Sequence, residues 1–81
     1  MDIRKARASF TSLVEQQENK RDWKQAVSWL YHHEPMEDVM ANFVLNPKQI
    51  VSIKEAVDIL RYVEADYDKV HAWSVSGLVK Q

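Results

Sequence analysis

The sequence predicts an all-α fold, a small four-helix domain with a long C-terminal helix. Three observations lead there. The 81-residue chain holds one glycine, Gly77, and two prolines, Pro35 and Pro47, so the turn chemistry of a β protein is nearly missing. Apolar residues recur three and four positions apart along most of the chain, the spacing that lines one side of a helix. Residues that cap helix N-termini stand ahead of those stripes at Asp2, Asp22 and Asn46.

The first helix is expected to start at the Asp2 cap and run to Gln17. Its inward stripe is Ile3, Ala6, Phe10, Leu13, Val14 and Gln17, and its outer side carries Arg4, Lys5, Ser9, Thr11, Glu15 and Glu18. The polar run Gln16 to Arg21 reads as a helix end and a short loop. Asp22 with Gln25 three residues on has the spacing of a capping box and opens a second helix, which turns Trp23, Ala26, Val27 and Leu30 inward. Pro35 ends it, because the residue before a proline is pushed out of the α region. The same proline suits the first position of a third helix, where its missing N–H has no partner to lose. There Met36, Val39, Met40, Phe43 and Val44 form the stripe, with Glu37 and Asp38 near the positive end of the dipole.

Asn46-Pro47-Lys48-Gln49 is the clearest local signal, combining an Asn cap, proline at the first helical position and glutamine at the third. The fourth helix carries Ile50, Ile53, Ala56, Val57, Leu60, Val63, Tyr67 and Val70. Its stripe continues to Trp73, a length of about 40 Å. Ser76-Gly77 is the expected stop, with glycine supplying a left-handed C-cap. Phe10, Val27, Leu30, Val39, Phe43, Ile53, Val57 and Leu60 should meet in one core.

Composition bounds the function. The chain is 46% hydrophobic and 28% charged, a globular balance, and its length suits one domain over residues 1–81. With no cysteine, disulfides, thiolate ligands and thiol catalysis are excluded, and a cytoplasmic location fits. No signal peptide or membrane span is expected, because no apolar run approaches the length of a spanning helix. The formal net charge is -1, split between +2 over residues 1–24 and -3 over residues 25–81. A strongly basic nucleic-acid footprint is missing, and the cluster Arg4, Lys5 and Arg7 reads as a solvated helix face.

Catalytic and metal chemistry find little support. His32 and His33 are adjacent and therefore point about 100° apart on a helix. Neither they nor His71 fit a His-Glu-x-x-His spacing, so no preorganised zinc site is expected. The acidic run Glu64, Asp66 and Asp68 lacks the glycine and closing glutamate of a calcium loop and reads as a solvated face. No glycine-rich phosphate loop or Ser-His-Asp spacing occurs, so the expectation is a non-enzyme without cofactor.

Two binding readings remain. Helices over 36–45 and 47–60 joined at Asn46-Pro47 have a helix-turn-helix outline, in which Lys48, Gln49, Ser52 and Lys54 would contact DNA. Against it, Val44 stands where glycine is frequent, and Glu55 and Asp58 would meet phosphates. The favoured reading is a protein interface made of aromatic and apolar residues outside the core stripes: Trp29, Tyr31, Ile59, Tyr62 and Trp73. A homodimer would use one strip internally and share the other. The segment Arg21-Asp22-Trp23-Lys24-Gln25-Ala26-Val27-Ser28-Trp29-Leu30, together with His71-Ala72-Trp73, resembles the small helical regulatory proteins of T-even-type phages, the lysis-inhibition (antiholin) accessory type among them. That resemblance implies a protein that inhibits or modulates another by docking to it.

Overall fold

The computed structural model describes residues 2–75, and the expected stop at Ser76-Gly77 lies outside them. These residues form five helices and no strand: α1 (Ile3–Glu15), α2 (Lys20–Tyr31), α3 (Met36–Asn42), α4 (Pro47–Tyr62) and α5 (Tyr67–Val75). The all-α prediction holds, and the single long fourth helix is replaced by α4 and α5.

The correction has a backbone cause. Glu64 takes a left-handed φ of 52°, its N–H reaches the Arg61 carbonyl at 3.2 Å, and the Ala65 N–H reaches the Leu60 carbonyl at 3.1 Å. This pair of bonds is a Schellman ending, built without the glycine that usually occupies the left-handed position. Asp66 then restarts the chain as a helix, its Oδ1 accepting the Asp68 and Lys69 N–H groups at 2.8 and 3.2 Å. The acidic residue read as a solvated face is thus also a cap. The end of α2 repeats the pattern: His33 sits at φ 70°, with His33 and Glu34 N–H groups on the Leu30 and Trp29 carbonyls.

The four other starts show how caps act. The Asp2 side chain accepts the Arg4 N–H at 3.1 Å, as expected. Helix α2 begins earlier than predicted because Asn19, not Asp22, is its cap: Asn19 Oδ1 accepts the Asp22 N–H and Asn19 Nδ2 donates to Asp22 Oδ2. Lys20 and Arg21, assigned to a loop, are therefore helical. Pro35 is the extended cap residue of α3 and not its first helical residue. At α4 the expected capping box is complete, with reciprocal bonds of 2.9 and 3.0 Å between Asn46 and Gln49.

Helix α2 is the hub and packs against all four other helices, while α1 also lies along α4. Its buried side chains include the small Ala26 and Ser28, which let neighbouring backbones approach, and the large Trp23 and Val27, which fill the space between them. The core cluster joins Trp23, Ala26, Val27 and Tyr31 to Val39, Ile53, Ala56, Val57, Leu60 and Val70, with Phe10, Leu30 and Phe43 packed against it. All eight residues expected to converge do so. The Trp23 indole N–H donates to Ser52 Oγ at 2.8 Å, and that hydroxyl donates to the Gln49 carbonyl at 2.9 Å, so the buried ring keeps its polar atom satisfied. Four residues assigned to inward stripes are exposed instead: Ile3, Met40, Val44 and Tyr67. Helix α3 is only seven residues long and ends at Asn42, so Val44 lies in the extended connection beyond it, 90% exposed.

Candidate protein-docking groove

An open apolar surface lies where α1, α4 and α5 meet. Gln16 and Gln17 of the α1–α2 connection stand beside the start of α4, and Arg7, Phe10 and Thr11 stand beside its end. The two helices therefore run antiparallel. With α4 stopped at Tyr62, α5 supplies the third wall through Lys69, Val70 and Trp73. Two adjoining hollows of about 550 and 180 Å³ share Phe10, Leu60 and Lys69. Ile59, Val63 and Ala65 extend the apolar floor, and Arg7, Glu64, Asp66 and Lys69 bring charges of both signs to the lining.

One end of the groove is built by an aromatic trio. Trp73 lies 5.1 Å from Phe10 and 6.4 Å from Trp23 between ring centroids, the latter pair edge to face. Lys24 Nζ sits over the same indole at 5.3 Å from its centroid, within cation–π range. These contacts hold Trp73 as a wall and not as a free anchor.

The five residues predicted for an interface fall into separate environments. Ile59 is 8% exposed and lines the groove, and Trp73 forms its end. Tyr31 is corrected to a core residue: it is 4% exposed, and its hydroxyl donates to the Ala65 carbonyl at 2.6 Å. Burial and the nearby Tyr67 push its hydroxyl above the ordinary tyrosine range, with Asp66 and Glu64 adding to the shift and Arg61 opposing it. Tyr62 is half exposed. Trp29 is 37% exposed and stacks edge to face on Phe43 at 5.2 Å, away from the groove. The structure therefore does not gather the five into one strip. Phe10, Leu60, Val63 and Lys69 were missed, because the faces that contribute them meet only after the chain turns at Glu64.

The four DNA-contacting candidates are also divided. Lys48 and Lys54 are exposed. Gln49 is held in the capping box, and the Ser52 hydroxyl is shared between Trp23 and the Gln49 carbonyl. His32 and His71 line a separate hollow of about 140 Å³ with Glu34, and His33 Nε2 lies 3.1 Å from the Tyr67 hydroxyl. Among the described residues, no three acidic or histidine side chains converge to hold a metal ion. Nor is any described helix long and apolar enough to cross a membrane.

This arrangement defines a small all-α domain with an open apolar groove. No protein-family model, curated protein or solved structure matches the chain.

Proposed function

We propose that this domain is a non-enzymatic protein-binding module, a small regulator or inhibitor that docks an amphipathic segment of a partner protein in the groove between α1, α4 and α5. The observation that carries this reading is the groove itself, about 550 Å³ in volume and floored by Phe10, Ile59, Leu60 and Val63. Apolar side chains of a partner would leave water on that floor and supply most of the affinity. Arg7, Lys69, Glu64 and Asp66 would select the partner's flanking charges, because rim charges act chiefly on specificity and association rate. The resemblance of residues 21–30 and 71–73 to phage regulators points the same way, and the reading places the protein in the cytoplasm. DNA binding ranks second, because Gln49 and Ser52 already have partners inside the domain.

Substitution within the groove lining tests the proposal. Thr11→Arg and Val63→Arg place bulk and charge on partly or fully exposed lining residues, and Val51→Arg does the same on an exposed part of α4 outside the groove. Once circular dichroism has established that each variant folds, partner association should be lost in the first two and kept in the third. Equal retention by all three would contradict the groove. Duplex binding abolished by Lys48→Ala/Lys54→Ala would favour the DNA reading.

A further inference from the structure

The end of α2 is fastened to the start of α5 by a histidine whose two ring nitrogens both face main-chain carbonyl oxygens. His32 Nδ1 lies 2.6 Å from the Ser28 carbonyl oxygen, and Nε2 lies 3.1 Å from the Tyr67 carbonyl oxygen. The Ser28 hydroxyl is farther from Nδ1, at 3.5 Å. A carbonyl oxygen only accepts, so each contact is a hydrogen bond only if that nitrogen carries a proton. Neutral imidazole has one N–H, and imidazolium has two. The observed placement satisfies both contacts only in the charged form.

We propose that His32 is a proton-operated latch that clamps α5 to α2 when its ring is charged and loosens the start of α5 when it is neutral. With the proton kept on Nδ1 for the shorter contact, the neutral ring points the Nε2 lone pair at the Tyr67 oxygen. Tyr67 is the first residue of α5, so the lost bond falls where that helix is attached. Its ring packs against His32 at 5.0 Å and Tyr31 at 4.9 Å between centroids, and its hydroxyl lies 3.1 Å from His33 Nε2. The left-handed His33 and Glu64 set the two chain reversals that bring these groups together.

Among the described residues, five other titratable groups stand around the latch. Tyr31 and His33 flank His32 in the chain, Tyr67 faces it from α5, and Glu34 and His71 share its hollow. Glu34 brings negative charge to that side, and His71 brings positive charge when protonated. The charged ring can donate to both carbonyls, whereas the neutral ring can donate to one. Loosening α5 also displaces Lys69, Val70 and Trp73, but the latch stands whether or not the groove binds a protein.

Amide hydrogen exchange followed by NMR tests this on the whole chain. Between about pH 5.5 and pH 7.5, across the imidazole range, protection factors of α5 amides such as Val70 should fall about three- to tenfold, the worth of one net hydrogen bond. Those of Ile53 in α4 should stay level. His32→Gln should remove the pH dependence, and a His33→Gln/His71→Gln protein, with His32 as its only histidine, should keep it. A flat α5 profile in the unaltered chain, an equal fall in α4, or loss of the response in the double variant would overturn the latch. If His32→Gln does not fold, the double variant still decides.

Discussion

The Tyr31 hydroxyl donates to the Ala65 carbonyl at 2.6 Å across a sequence separation of 34 residues, tying the end of α2 to the short connection between α4 and α5. This bond sits beneath the turn that ends α4, so it helps decide where the C-terminal part of the chain goes. Tyr31→Phe keeps the ring and leaves the Ala65 oxygen without that partner, and should cost about 1 to 2 kcal/mol at neutral pH. The hydroxyl is held above its ordinary value near 10, chiefly by burial, so the folded domain favours the protonated form. That contribution is complete below the unfolded value and is lost as pH rises past it. Urea denaturation should therefore show the advantage of the unaltered chain over Tyr31→Phe shrinking above about pH 10. A constant difference across that range would refute it.

Glu64 holds a left-handed conformation that glycine adopts without steric cost. Glu64→Gly should raise stability by about 0.5 to 1 kcal/mol in chemical denaturation, the left-handed cost less the extra freedom of glycine in the unfolded chain. A loss of 1 kcal/mol or so would mean that the turn is not maintained in solution and that α4 runs on through residues 63–66.

Trp73 and Tyr62 should separate cleanly. Trp73 is packed against Phe10 and Trp23 while Tyr62 is half exposed. Trp73→Ala should cost about 2 to 4 kcal/mol, and Tyr62→Ala less than about 1 kcal/mol. Thermal unfolding of the two proteins measures the contrast, and equal losses would show that Tyr62 is buried in solution.

Local chemistry made part of this fold legible. Asp2, Asn46, Pro47 and Gln49 announce their helix starts because capping needs only neighbours in sequence. The core positions were legible because the apolar spacing in α2 and α4 is regular. The break after Tyr62 was hidden, because Val63, Glu64 and Ala65 continue a helical pattern and no glycine marks the left-handed residue. Asp66 was the available signal, a good cap immediately ahead of Tyr67. The groove was legible only through Ile59 and Trp73. Its other residues come from α1, α4 and α5, and periodicity within one helix says nothing about which faces meet after a turn.

The docking groove is tested most directly by photo-crosslinking in the cell that produces the protein. A photoreactive amino acid is placed at Val63 on the groove floor, or at Val51 on the exposed part of α4 outside it. Folding of both proteins is checked beforehand by circular dichroism. The groove predicts a covalent adduct with one discrete protein from position 63 and none from position 51. No adduct from position 63, the same adducts from both positions, or an adduct with nucleic acid would contradict it.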